Sequence, residues 1–292
     1  MTVNFTRRST RALRLARVGV HFARGMATVA VRFPFLARGR RAECVRRWSA
    51  ALLDILAVRV EVSGTSPPPT AGSLMIVANH ISWLDIYAIN AVRATRFVAK
   101  SEVRNWPVIG WLSDRVGTLF IERASRYHSA RVNQEVSAAL SDGDTFAVFP
   151  EGTTTDGRQV LPFHAALLQP LVSCGGRLYP VAVRYRRADG SPCSEAAYVG
   201  DKSAMDTLLS MIAQPEIRVE LQFLNPMSCA GRHRRELACE AAGRIAAAIG
   251  VPAPRTPWNA RPVAGFPCVA PSGTLPSANP RLAPVIISEQ LS

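Results

Sequence analysis

No apolar stretch in these 292 residues is long enough to cross a bilayer, a span that takes roughly 20 uninterrupted apolar residues. The best candidate, near the N-terminus, is broken by Arg14, Arg17, His21 and Arg24. Those residues also deny it the clean apolar core and cleavage site of a secretory signal. The six cysteines contain no C-x-x-C pair. Neither a zinc site nor a disulfide framework is expected, and reduced thiols in a cytosolic compartment are. No segment repeats. Charged residues make up only 19% of the chain against 48% hydrophobic, which excludes wholesale disorder. A chain of this length can bury one large core or two small ones.

Acidic residues are scarcest at the start. Residues 1–60 hold 13 arginines and no lysine against Glu43 and Asp54, so +11 of the chain's +14 lies there. Such a basic end needs a polyanionic surface. Its arginines alternate with Leu, Val, Phe and Ala rather than with base-stacking aromatics, which points away from nucleic acid and toward an anionic membrane. Helices over 8–36, ended by Pro34, and over 41–57 form a basic amphipathic pair. The expectation is a peripheral or monotopic protein on the cytoplasmic face of the inner membrane.

Beyond this basic end the chain alternates strand and helix. Strands are predicted at 57–63, 74–78, 96–99, 118–121, 145–149, 178–185 and 216–223. Helices are predicted at 83–92, 126–141, 163–174 and 233–249, with brief helical turns within 102–115. This is the signature of an α/β fold with a mixed, mostly parallel sheet flanked by helices. From Val251 onward nine prolines fall in 42 residues, and that tail is expected to be disordered. Three regions result: a basic N-terminal helical region (1–60), an α/β domain (61–250) and the Pro-rich tail (251–292).

The chemistry gathers at predicted strand ends. His80 and Asp85 fall where the 74–78 strand turns into the next helix, the rim at which open α/β sheets place ligands. An imidazole takes a proton near neutral pH, and a carboxylate beside it fixes the tautomer. No serine or cysteine stands ready as a nucleophile, so the pair is suited to a hydroxyl carried in by a substrate. Asp85 could also simply complement the helix dipole. Lys100 and Arg123 each follow a predicted strand and together could seat an anion. Glu151, Gly152 and Thr153, after the 145–149 strand, form a polar loop able to hydrogen-bond a polyol.

Asn79-His80-x4-Asp85, Gly117-Thr118-x-Phe120-x-x-Arg123, Phe149-Pro150-Glu151-Gly152-Thr153 and Tyr179-Pro180-Val181 occur in that order. They resemble the four motif blocks of the glycerolipid acyltransferase family, whose best-known members are 1-acylglycerol-3-phosphate acyltransferases. The resemblance implies that His80 is the general base and Asp85 its orienting partner. It implies that Lys100, Arg123, Glu151, Gly152 and Thr153 engage an acceptor lysolipid and that Pro180 borders the acyl-donor site. The donor would be a thioester of coenzyme A or acyl carrier protein, as a co-substrate, with no metal and no cofactor. One departure matters: many family members carry an arginine after Glu-Gly-Thr, where this chain has Thr154. The Glu151-Gly-Thr-Thr-Thr-Asp-Gly157 form is similar to that of lyso-ornithine lipid acyltransferases, which makes such an enzyme the alternative. A thioesterase using water and a non-catalytic basic membrane-binding module are two further readings that the residues allow.

Overall fold

Leu74-Met75-Ile76-Val77-Ala78 is apolar at every position because both of its faces are covered. It forms β2 (Leu74–Ala78), buried along its whole length. The computed structural model describes residues 6–68, 72–122 and 126–254, with backbone only for 126–129. The other strands are β1 (Val58–Gly64), β3 (Arg96–Lys100), β4 (Leu119–Ile121), β5 (Thr145–Val148), β6 (Arg177–Arg187), β7 (Ile217–Phe223) and β8 (Met227–Ser228). Among the described residues they make one eight-stranded sheet in the order β1-β7-β6-β2-β5-β3-β4, with β8 pairing β6. Only the β6/β7 and β6/β8 pairings are antiparallel. The sheet is mixed and mostly parallel, as expected.

Helices cover both faces. They are α1 (Arg8–Val31), α2 (Arg38–Ile55), α3 (Leu84–Val92), α4 (Ile109–Arg115), α5 (Arg126–Ser141), α6 (Gln169–Ser173), α7 (Ala204–Ile212) and α8 (Arg234–Ile249). Strand alternation divides the core in two. Leu74, Ile76 and Ala78 join Val181, Val183 and Tyr185 beneath α2, α3 and α7. Met75 and Val77 join Phe146, Val148, Leu178 and Ala182 against α5, α6 and α8.

The N-terminal helices are tied to this body. Leu52, Leu53 and Leu56 share the first core. The Arg14 guanidinium donates to the carbonyls of Ile212 and Gln214 at the end of α7 (3.1 and 2.6 Å). Between α1 and α2, the His21 ring bonds the Trp48 carbonyl at 2.9 Å and stacks on the indole.

Three elements depart from expectation. The predicted 163–174 helix is a 3-10 turn (Ala165–Leu168) followed by the short α6, whose first turn holds Pro170. Proline lacks the N–H that a continuous ladder would need there. The first helix stops at Val31, and Pro34 lies in a separate 3-10 turn. Helix α7 was not anticipated; a capping box between Ser203 and Asp206 starts it. Among the described residues Cys44, Cys174, Cys193 and Cys229 are free thiols. The expected disorder of the tail concerns residues that, beyond 254, lie outside the described ones.

Candidate active site

The turn between β2 and α3 is clamped before any ligand arrives. The Asn79 side chain accepts the Val183 N–H at 2.8 Å and donates to the Val183 carbonyl at 3.0 Å, fixing the turn to β6. Beyond it, His80 Nδ1 lies 2.9 Å from Asp85 Oδ2. The same Oδ2 accepts the backbone N–H groups of Ile81 (2.8 Å) and Ser82 (3.0 Å). Oδ1 accepts the Tyr185 phenol at 2.6 Å. Asp85 is fully buried, yet both its oxygens are satisfied, the condition under which a buried carboxylate stays charged. A carboxylate can only accept here, so Nδ1 of His80 is the donor and Nε2 is left with its lone pair.

A second carboxyl supports the turn from the other side. Glu151 accepts the His80 N–H through Oε1 at 2.8 Å and the Leu161 N–H through Oε2 at 2.9 Å. Burial pushes its carboxyl up to about 7, against the pull of those two N–H groups and with a smaller push from Asp85. The His80 ring lies flat on Phe149, with centroids 4.0 Å apart and planes 11° from parallel. The His80 carbonyl accepts the Thr155 N–H at 2.8 Å, so the 149–157 loop holds His80 by ring and backbone together. Gly152 turns this loop at φ +71°, a conformation that favours glycine.

His80 lines a cavity of about 840 Å³. Its walls are mostly apolar: Phe22 and Val29 of α1, Trp48 and Leu52 of α2, Trp83 and Tyr87 around α3, with Phe97 and Phe149. Lys100, Gly152, Thr153 and Thr154 supply polar lining. Lys100 is exposed there and forms no ion pair among the described residues. The Thr154 hydroxyl is already committed to the Tyr198 carbonyl.

Of the residues singled out from sequence, the structure thus brings His80, Lys100, Gly152 and Thr153 to one cavity, with Asp85 buried behind His80. Glu151 touches the back of His80 and is not among the cavity-lining residues. Pro180 does not reach the cavity either: it is buried in β6 between Leu178 and Ala182, whose side chains face the opposite core. Arg123 lies outside the described residues. Sequence reasoning missed Tyr185, Phe149 as a stacking partner, and the walls formed by α1 and α2. An H-x4-D pattern carries no signal for a phenol 100 residues away.

A half-buried histidine on a buried aspartate thus stands at the rim of a mostly parallel sheet, the histidine facing an apolar cavity. Comparison with known proteins gives the class. The profile of the Acyltransferase family matches residues 59–184. The lyso-ornithine lipid O-acyltransferase of Pseudomonas aeruginosa is 38% identical over 215 residues, covering 73% of this chain and 81% of that protein. The 1-acyl-sn-glycerol-3-phosphate acyltransferase of Neisseria gonorrhoeae is 33% identical over 187 residues, 64% of this chain and 71% of that one. Among solved structures, the 1-acyl-sn-glycerophosphate (LPA) acyltransferase PlsC of Thermotoga maritima shares the fold, with a TM-score of 0.60, 21% identity and coverage of 82% and 96%. The chain belongs to the Acyltransferase family and is an acyltransferase. The non-catalytic module is set aside.

Proposed function

We propose that this enzyme moves a fatty acyl group from a thioester to the hydroxyl of a lysolipid, with 1-acylglycerol-3-phosphate as acceptor and phosphatidic acid as product. The observation that carries the reading is the 2.9 Å His80–Asp85 pair, whose His80 stands in the wall of an apolar cavity of about 840 Å³. The acceptor hydroxyl gives its proton to His80 Nε2 as its oxygen attacks the thioester carbonyl carbon. The tetrahedral intermediate collapses with cleavage of the C–S bond, and the leaving thiolate takes the proton back from the imidazolium. Asp85 stabilises that imidazolium, as in a Ser-His-Asp triad whose hydroxyl comes from the substrate. Lys100 supports the phosphate end of the acceptor, and the apolar walls support an acyl chain. Coenzyme A or acyl carrier protein supplies the thioester.

Residues 1–60 meet an anionic membrane in this reading, 61–250 form the catalytic body and 251–292 the tail. Exposed Leu13, Val20, Val31 and Phe35 stand among the arginines of α1 and the turn after it, the mixture that suits an interface. No helix among the described residues is long and apolar enough to cross a membrane. The surface faced is the cytoplasmic side of the inner membrane.

A lyso-ornithine acceptor is the second reading. It is favoured by Thr154, which stands where an arginine would read phosphate and whose hydroxyl is occupied by Tyr198. Its closeness to the Pseudomonas aeruginosa protein of that name agrees. Labelled acyl thioester offered with either lysophosphatidic acid or lyso-ornithine lipid separates the two. Use of lysophosphatidic acid, with a raised KM in Lys100→Ala, supports the first; use of lyso-ornithine lipid alone supports the second. His80→Ala should lower turnover by about 10²–10⁴-fold without changing the thermal melt. Wild-type turnover in that variant would overturn both, and fatty acid released independently of lysolipid would mark a thioesterase.

A further inference from the structure

The Asp85 carboxylate is held by four donors, and they are not equivalent. Three of them, His80 Nδ1 and the N–H groups of Ile81 and Ser82, converge on Oδ2 and come from the same short turn. The fourth, the Tyr185 phenol, stands alone on Oδ1 and comes from β6, 100 residues away. Tyr185 is itself 5% exposed, and its O–H has no other acceptor among the described residues. Its strand is fixed at the same level: the Cys193 N–H donates to the Tyr185 carbonyl at 3.0 Å, and Tyr185 sits opposite Val219 of β7.

We propose that Tyr185 is a positioning residue of the acyl-transfer site, a third member behind His80 and Asp85. Its O–H sets the rotation of the Asp85 carboxylate and withdraws charge from it. The inference rests on reading His80 as the base and deepens that reading. With Oδ1 anchored to the sheet, the carboxylate cannot turn about its Cβ–Cγ bond, and Oδ2 stays in line with Nδ1. With part of its charge taken up by the phenol, Asp85 binds the imidazolium less tightly. The His80–Asp85 pair then releases its extra proton at a lower pH, keeping more base available near neutrality. Burial first, and then the Asp85 charge, keep the phenol pKa well above its ordinary value. Tyr185 therefore donates a hydrogen bond throughout and never its proton.

Other titratable or charged groups near this unit are Glu151 behind His80, Lys100 at the cavity, and the neutral Cys193 thiol, Glu195 and Arg187 beyond Tyr185. Glu151 titrates at about 7, so a pH–rate profile alone would mix two groups. The experiment therefore follows His80 directly, by ¹⁵N-histidine NMR of the full-length chain, with the resonance assigned by its loss in His80→Ala. In Tyr185→Phe, kcat should fall about tenfold, the worth of one hydrogen bond to a charged group. KM for acceptor and donor should stay within about twofold, because the phenol touches neither. The midpoint of the His80 ¹⁵N titration should move to higher pH in the variant.

Site-specific 3,5-difluorotyrosine at position 185, a stronger donor that keeps the ring, should shift it the opposite way and serves if Tyr185→Phe does not fold. Unchanged kcat with an unmoved His80 titration overturns the proposal. So does a lower kcat that merely tracks a smaller folded fraction while the titration stays put. An inactive His80→Ala beside an unaffected Tyr185→Phe rejects the role of Tyr185 alone. An active His80→Ala rejects the base assignment as well.

Discussion

On one side of the sheet, α5, α6 and α8 close over Met75, Val77, Phe146 and Leu178 with their own Val136, Leu140, Leu237 and Ile245, all almost fully buried. On the other side, α1, α2, α3 and α7 cover the same strands but leave a cavity of about 840 Å³ with His80 in its wall. Both faces are built from the same aliphatic alphabet, so composition does not separate them. The difference lies in what the helices bring. Helix α8 lays alanines Ala238, Ala241, Ala242 and Ala246 against the sheet, which lets it approach closely. Helices α1 and α2 hold Phe22 and Trp48 toward the gap, and large rings propped on each other frame a space. The filled face supplies stability, while the hollow one gives up packing and leaves open space beside His80.

The strongest way to break this contrast is to hollow the filled face. Ile245→Ala should cost about 2–5 kcal/mol, read as a lower denaturant midpoint, while KM at low temperature stays near wild type. A KM change equal to that of a cavity variant would mean the two faces are not separate in function.

The next is acid–base. Glu151 is raised from 4.5 to about 7, so the folded chain keeps a proton that the unfolded chain releases across that window. Its contribution is fully present below about pH 4.5 and is lost as pH rises through about 7. The size is about 3 kcal/mol if the shift is fully expressed. Wild type should lose thermal stability over this window relative to Glu151→Gln, in melts taken at matched ionic strength. Parallel profiles for the two proteins would refute it.

The smallest stability effect belongs to the hollow face. Phe22→Ala borders space already open, so its cost should be about 1 kcal/mol or less. Its consequence should appear instead in substrate choice, as a shift toward longer or bulkier acyl chains when thioesters compete. An unchanged preference would remove α1 from the chain-binding wall.

The sequence made some of this plain and hid the rest for physical reasons. The β2 strand and its turn were legible because an all-apolar run and an H-x4-D pattern are local. The His80–Asp85 contact needs only five residues of chain to form. Helix α6 was misjudged because apolar spacing ran through Pro170 without regard to its missing N–H. Helix α7 escaped because it is nine residues long and comes after an irregular loop. The partners of Glu151 were unreadable in principle, since two backbone N–H groups leave no mark on side-chain identity. Tyr185 looked like any aromatic in a buried strand. The N-terminal pair was legible as basic and amphipathic, but not as a wall of the cavity, because that depends on how it docks.

That docking gives the site a built-in address. The helices that carry the arginine excess also form part of the enclosure around His80, so the groove is whole only when the basic end is in place. In the proposed orientation, the segment that settles on lipid and the segment that shelters the acyl chain are one and the same. An acceptor then slides in from the leaflet without first dissolving in water, and detaching the first 60 residues would strip a wall from the cavity and Leu52, Leu53 and Leu56 from the core beneath it.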